Sequence, residues 1–275
     1  MRTFPTKQDI EQFRQRAQSG QFTAEDLDAF YKNPHLWRPF TPSLSFPTVD
    51  VAQAYWQLVW DELALEIGGR IIVPPVPRLT DKQRKSINNC LLLFVYIPAL
   101  SEDRYPACFV KPEWGKSLAI SQIERVPLKG RWIAVETVRK PDYDDEIGYP
   151  SDRLATMVKF EGRFEKSWDD LNGGLLEDIA RSTGFPKAGT RLPSAEEWNL
   201  LANLFNWLRE HRAMDLPDLG STRSVEWCGN AYKTILNKPA RIAAGHSQDG
   251  GLASITRFSS HLRELSVGFR VLFEL

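Results

Sequence analysis

The chain has 275 residues, of which 42% are hydrophobic and 25% are charged, with 35 Lys or Arg against 35 Asp or Glu. This length and composition predict an ordered protein of one or two domains. Basic residues are scattered among acidic ones, so the sequence indicates no continuous positive surface and disfavours nucleic-acid binding.

The first third of the sequence predicts helices. Capping residues and one-face apolar spacing place the first between Thr6 and Gly20 and the second between Thr23 and Asn33. A third is expected from about Asp50 to Ile67, with one apolar face made of Val51, Tyr55, Leu58, Val59 and Leu63. The proline-rich stretch 73–77 then suggests a boundary between a helical N-terminal region, 1–77, and a second domain, 78–275.

Beyond that boundary, short apolar runs broken by Pro, Gly and Asp predict strands joined by long irregular connections. The strands are expected near 91–97, 107–110, 132–138, 241–244 and 267–273. Two helices interrupt them, one at about 168–182 and one that begins at Ser194. Ser194 and Glu197 form a capping box there, and the buried face is expected to contain Trp198, Leu201, Phe205 and Leu208. This pattern predicts an α+β fold.

The N-terminal residues lack the apolar segment of a signal peptide, and the longest apolar run, around Leu91–Val95, is too short to cross a bilayer. We therefore expect no membrane insertion and a cytoplasmic protein, or one displayed on a virion if the gene belongs to a phage. Cys90, Cys108 and Cys228 are widely spaced and odd in number, which favours reduced, buried thiols over a disulfide framework or a zinc site.

Three stretches in the C-terminal half have a recognisable order and spacing. They are Thr190-Arg191-Leu192-Pro193-Ser194, Val225-Glu226-Trp227-Cys228 and Val267-Gly268-Phe269-Arg270, preceded by Trp132-Ile133. Together they resemble the formylglycine-generating enzyme and sulfatase-modifying factor family. This resemblance covers roughly residues 130–275 and implies a C-type lectin fold of the formylglycine-generating type, preceded by the helical N-terminal region.

The metal ligands of that family are missing from the sequence. Its oxidase members use a cysteine pair to bind copper, with one cysteine directly after Gly-Phe-Arg, where this chain has Val271. Its sulfoxide synthases bind iron through an N-terminal histidine cluster, but His35 is the only histidine before residue 211. We therefore expect no cofactor, no metal and no catalytic residues.

The last 35 residues keep some of the family's motif residues and replace others. Arg241, Gly245 and the Gly268-Phe269-Arg270 motif match, whereas Ala244, His246 and Gln248 depart. This C-terminal pattern is similar to that of the variable proteins of diversity-generating retroelements. In those proteins the template adenines are randomised, and the variable codons cannot come to encode Lys, Glu, Gln, Met or Trp. Between Arg241 and Arg270 only Gln248 and Glu264 fall outside the reachable set.

The resemblance therefore predicts a ligand-binding protein with a calcium-independent variable face and an unidentified target, a protein or a cell-surface ligand. The predicted face comprises His246, Gln248, Asp249, Leu252, Ser254, Thr256, Phe258, Ser259, Ser260, His261, Arg263 and Glu264. The predicted scaffold comprises Arg191, Trp198, Glu226, Trp227, Arg241, Gly245, Gly268, Phe269 and Arg270, with Glu226 as a buried acid paired with an arginine such as Arg270 or Arg257.

Two alternatives remain open. The chain could be an oxygen-dependent enzyme of the same superfamily, with a metal site assembled in space from Cys228, His246 and His261. It could also be a structural or assembly protein that uses the lectin frame as a spacer.

Overall fold

The computed structural model describes residues 47–67, 70–114, 118–142, 149, 152–233 and 239–275. The two helices predicted before residue 34 and most of the acidic stretch that follows Asp142 lie outside these residues. The chain divides into two compact units, one of Met1–Leu44 with Trp207–Asp215 and one of Ser45–Asn206 with Leu216–Leu275. In the described part of the first unit, the rings of Trp207 and His211 stack with centroids 4.7 Å apart.

The second unit contains helices and two four-stranded sheets, so its described part is α+β as expected. The helices are α1 (Ala52–Ile67), α2 (Asp81–Asn89), α3 (Arg153–Val158), α4 (Trp168–Asp170), α5 (Leu176–Thr183) and α6 (Ala195–Arg212), the last of which continues into the first unit. The strands are β1 (Leu92–Ile97), β2 (Arg131–Glu136), β3 (Thr190–Arg191), β4 (Val225–Tyr232), β5 (Ala240–Ala244), β6 (Ile255–Ser259), β7 (Val267–Phe269) and β8 (Leu272–Glu274).

The first sheet has the order β1-β2-β8-β3 and is antiparallel throughout. The second has the order β6-β5-β4-β7, in which β4 and β7 run parallel. The single strand expected near 267–273 is therefore two strands in two sheets. The chain crosses between the sheets at Arg270 and Val271, where the Arg270 side chain turns into the interior and the Val271 N–H donates to Glu136.

Helix α1 packs against β1 of the first sheet. The indole Nε1 of Trp56 donates to the Phe94 carbonyl at 2.7 Å, and that of Trp60 donates to the Tyr96 carbonyl at 3.0 Å. The helix lies in the larger unit, together with residues on both sides of position 77. The expected apolar face of the helix is partly wrong. Val59 and Leu63 are buried beside the two tryptophans, but Val51 and Leu58 are 53% and 67% exposed.

Local sequence signals account for the ends of several helices. Ser194 caps α6, with the Glu197 N–H donating to its hydroxyl at 3.1 Å and the Ser194 N–H donating to the Glu197 carboxylate at 2.8 Å, as predicted. Thr80 and Gln83 form the same motif at the start of α2, a helix that was not predicted from the sequence. The expected strand at 107–110 is a turn, closed by a bond from the Phe109 N–H to the Pro106 carbonyl.

Candidate functional site

A buried cluster of charged and aromatic side chains lies between the two sheets. The Glu226 carboxylate on β4 is fully buried and accepts hydrogen bonds from Trp198 Nε1, the Tyr149 hydroxyl and the Arg270 guanidinium, each at 2.9 Å. The prediction that Glu226 is a buried acid paired with an arginine is thus confirmed, and of the two candidates the partner is Arg270, not Arg257. Burial alone would raise the pKa of Glu226, but the charges of Arg270 and Lys140 hold it below its ordinary value, so the carboxylate stays ionised.

Lys140 completes this cluster. Its Nζ donates to the carbonyls of Ser224 at 2.7 Å and Gly245 at 2.6 Å. Burial lowers the pKa of Lys140 to about 8, because removal from water disfavours the ammonium form. This residue was not predicted, since nothing near Lys140 in the sequence distinguishes it from a solvated lysine.

The lowered pKa of Lys140 predicts a pH dependence of stability. Between about pH 8 and the ordinary lysine pKa of 10.5, the folded chain has released the Lys140 proton while the unfolded chain still binds it. The unfolded state then holds more protons, so this group's contribution to stability rises with pH across the window. We expect the free energy of unfolding of the native chain to rise relative to that of a Lys140→Met variant between about pH 7.5 and about pH 10.

Urea titrations of both proteins at each pH measure this difference. Both proteins share all other ionisable groups, so the contributions of those groups cancel in the comparison. Parallel pH profiles for the two proteins would contradict the assignment.

The other predicted scaffold residues also take part in internal contacts. Trp198, Trp227 and Phe269 are buried, and Trp227 Nε1 donates to the Lys166 carbonyl at 2.9 Å. Arg191 forms ion pairs with Glu197 at 2.6 Å and with Glu274 at 3.1 Å. These contacts fix the strands beneath the C-terminal segment.

Arg241 and the two glycines of the predicted scaffold have separate roles. The Arg241 guanidinium lies 3.7 Å from the centroid of the Trp168 ring. Gly245 adopts a φ of +100°, which side chains disfavour. A side chain at Gly268 would collide with the Tyr149 hydroxyl. A second ion cluster, Arg163 with Glu136 and Asp152, was not predicted from the sequence.

A cavity of about 410 Å³ opens on the second sheet, next to the predicted scaffold residues. Five residues of the predicted variable face line it together: His246, Asp249, Thr256, Phe258 and Glu264. The remaining lining residues are Arg223, Val225, Leu265 and Ser266. We take this cavity and its rim as the candidate functional site.

Strand β6 supplies two of these side chains because strand residues alternate between faces. Arg241 pairs with Phe258 and Ala243 pairs with Thr256 across β5 and β6, so Thr256 and Phe258 share one face. The Phe258 ring meets Trp227 edge-on, with centroids 5.9 Å apart. Arg257 and Ser259 therefore project from the opposite face, and Ser259 does not line the cavity.

Two residues of the predicted face are buried. Ser254 is 3% exposed and Ser260 is 1% exposed. The Ser260 hydroxyl donates to Asp169 at 2.8 Å, and its backbone N–H donates to the Pro239 carbonyl. The expectation that these two positions are solvent-exposed is therefore wrong, because the ends of β6 turn into the domain.

The remaining predicted positions do not line the cavity. Gln248, His261 and Arg263 are exposed, and Leu252 is half-buried against Gly220. Arg263 forms an ion pair with Asp170 at 2.6 Å, and this hydrogen bond lowers the pKa of Asp170 to about 2. Ser259 Oγ lies 2.9 Å from His261 Nε2.

The structure does not bring Cys228, His246 and His261 together. Among the described residues, no group of three His, Cys, Asp or Glu side chains is placed to share a metal ion. Cys228 is fully buried in β4, where burial raises the pKa of its thiol well above the ordinary value. Cys90 is buried as expected, whereas Cys108 is exposed, which corrects the expectation for that thiol.

Comparisons with known proteins do not assign the chain to a family. No protein-family model matches the chain, and no curated protein matches it. The crystal structure of CarF resembles part of the chain, with a TM-score of 0.38 and 12% identity, over 55% of this chain and 88% of CarF. This similarity is too low to indicate a shared fold or function. No helix within the described ranges is both long and apolar enough to cross a membrane.

Proposed function

We propose that this chain is a target-binding protein that presents a variable surface on a C-type lectin fold of the formylglycine-generating type, and that a diversity-generating retroelement produces the variation. The observation that carries the proposal is the cavity lined by His246, Asp249, Thr256, Phe258 and Glu264, which all come from the C-terminal segment. The target is a protein or a cell-surface ligand.

The rigid frame beneath the cavity supports this proposal. In the interior Glu226 pairs with Arg270, and Lys140 donates to the carbonyls of Ser224 and Gly245. None of these three charged residues lines the cavity. A surface held by such a frame loses little freedom when a target binds, which lowers the ordering cost of association. It also lets surface side chains change without loss of core packing.

The DNA next to the gene tests the retroelement. We expect a reverse transcriptase gene and a near-copy of the 3' end of this gene, which differs from it mainly at adenines of the copy. The differences should fall on codons of the cavity and its rim and spare those of Glu226 and Arg270. An intact locus that has neither the reverse transcriptase nor the copy would contradict the proposal.

The proposed role also predicts tolerance to change on the surface. A variant with Gln248, Asp249, His261 and Glu264 all replaced by Ala should retain its stability, because each exposed substitution costs within about 0.5 kcal/mol. The matched control is Ser260→Ala, which removes a buried hydrogen bond to Asp169 and should cost about 1–3 kcal/mol. Urea unfolding of the three proteins measures both effects. A loss of more than about 2 kcal/mol in the quadruple variant, which is four times the limit for one exposed substitution, would show that these positions carry packing.

A further inference from the structure

A second cavity, of about 920 Å³, opens between the end of α2 and helix α3. It shares no lining residue with the cavity on the second sheet. Small-molecule sites in proteins are typically concave, have volumes of about 300–1,000 Å³, and combine apolar and aromatic walls with a few polar groups. The second cavity therefore has the size of a small-molecule site.

Aromatic and sulfur-containing residues form part of the wall of the second cavity. They are Tyr149, Phe160, Cys90 and Met157, and the two sulfur atoms lie 3.7 Å apart. Burial raises the pKa of the Cys90 thiol to about 11, so this thiol is uncharged at neutral pH. Sulfur atoms make favourable contacts with aromatic rings, and a methionine side chain adapts its shape to its neighbours. This wall therefore favours a planar aromatic ligand.

The buried charges that border the second cavity are already paired. Arg163 donates through all three of its nitrogen atoms to the carboxylates of Asp152 and Glu136. Its Nη1 also donates to the Phe269 carbonyl at 3.2 Å, which uses the last of the five guanidinium N–H groups. This ion cluster and the Glu226 cluster together contain three carboxylates and three cations, which are Glu136, Asp152, Glu226, Arg163, Arg270 and Lys140. Their charges balance, so they leave no net charge for a ligand to pair with.

Arg153 supplies the charge that a ligand of the second cavity can use. Its side chain lines the cavity and is exposed, and no hydrogen bond or ion pair joins its guanidinium to another residue in the described part of the chain. The neighbouring Asp152 carboxylate is committed to Arg163 and to the Ala155 N–H, which donates to it at 2.9 Å. A guanidinium can donate two parallel hydrogen bonds to a carboxylate or a similar anion. An anionic group at the entrance of the cavity would therefore pair with Arg153.

We propose that the second cavity binds a planar aromatic molecule that carries one anionic group, a carboxylate or a sulfonate. The aromatic rings contact Met157 and Phe160, and the anionic group pairs with Arg153. The inference is independent of the proposed function, because no residue that lines the second cavity belongs to the predicted variable face.

Two fluorescent probes with the same aromatic skeleton test the inference on the full chain. 8-Anilinonaphthalene-1-sulfonate carries one anionic group, and N-phenyl-1-naphthylamine is the same molecule without that group. Both become fluorescent when they leave water. The affinity per atom that is typical of ligands of this size predicts a Kd of roughly 10–100 µM for the sulfonate. We expect a saturable rise in the fluorescence of each probe as the protein is added.

Variants at two exposed positions of α3 locate the bound probe and its anionic group. Arg153→Gln should weaken binding of the sulfonate about 3- to 5-fold, the effect of one exposed ion pair, and binding of the neutral probe less than about 2-fold. Thr156→Trp places a large ring in the cavity and should weaken binding of both probes at least about 10-fold. The matched control is Arg78→Gln, at an exposed arginine that does not line the cavity, and it should change neither affinity.

Three results would each overturn the inference. The first is the absence of a saturable rise in fluorescence with the sulfonate. The second is binding of the sulfonate that survives Thr156→Trp unchanged, because the probe would then occupy another site. The third is an equal effect of Arg153→Gln on the two probes, which would show that the guanidinium does not pair with the anionic group.

Discussion

A Glu226→Gln variant should lose about 3–5 kcal/mol of unfolding free energy, the cost of breaking a buried ion pair by removing one partner. Glutamine keeps the size of the side chain but not its charge. The Arg270 guanidinium is 1% exposed and Lys140 is 4% exposed, so neither cation can recover solvation when the carboxylate is lost. The Tyr149 hydroxyl and Trp198 Nε1 would also share a weaker acceptor.

Urea unfolding monitored by tryptophan fluorescence measures this loss. The control is Glu264→Gln, a matched substitution at an exposed position on the cavity rim, which should change stability by less than about 0.5 kcal/mol. A double variant, Glu226→Gln with Lys140→Met, removes one of the two uncompensated cations. It should be more stable than the sum of the single losses implies, because the two sites share one network. A loss below about 1 kcal/mol in Glu226→Gln would show that the pair is not buried as described.

The sequence predicted those parts of the fold that local patterns determine. Ser194 and Glu197 set the start of α6 through backbone N–H groups of the same turn, and the run around Leu92–Ile97 has the composition of a buried strand. Glu226 was predicted to be a buried acid because it stands between two apolar residues of a strand, and such an acid needs a buried counter-charge. The sequence did not decide between Arg270 and Arg257 as its partner, because both arginines are distant from Glu226 along the chain.

The features that the sequence did not predict depend on contacts between distant residues. Lys140 is buried because the carbonyls of Ser224 and Gly245, 84 and 105 positions away, converge on its Nζ. The apolar face of α1 was misassigned because Val51 and Leu58 fit a helical period as well as Trp56 and Trp60 do. Only the position of β1 decides which face is buried.

The candidate site also depends on contacts between distant residues. Strand β6 was not predicted from the sequence, and its pairing with β5 places Thr256 and Phe258 on one face. The burial of Ser254 and Ser260 was not visible, since their partners are Gly245 at one end of the strand and Pro239 and Asp169 at the other. The surface predicted from residue types alone therefore included two residues that the structure buries, Ser254 and Ser260.

A Gly245→Ala variant should lose about 2–5 kcal/mol, for two separable reasons. The φ of +100° disfavours any residue with a Cβ. The added Cβ would also lie 2.6 Å from Trp198 Cζ2 and 2.8 Å from Lys140 Nζ. The Trp198 ring cannot move aside easily, because its Nε1 donates to Glu226 at 2.9 Å. Overpacking of such a site typically costs about 1–3 kcal/mol beyond the backbone strain.

Gly162→Ala separates the two contributions. Gly162 has a φ of +51°, and a Cβ there would meet nothing within 4 Å, so this variant is destabilised only by the backbone conformation. It should lose about 1 kcal/mol, and the difference between the two variants measures the collision at Gly245. Equal losses of unfolding free energy in the two variants would mean that Trp198 and Lys140 move to make room for the added Cβ. A larger loss at Gly245 would show that Trp198 and Lys140 do not move aside, and that the absence of a side chain at Gly245 lets the backbone after β5 approach the Glu226 cluster.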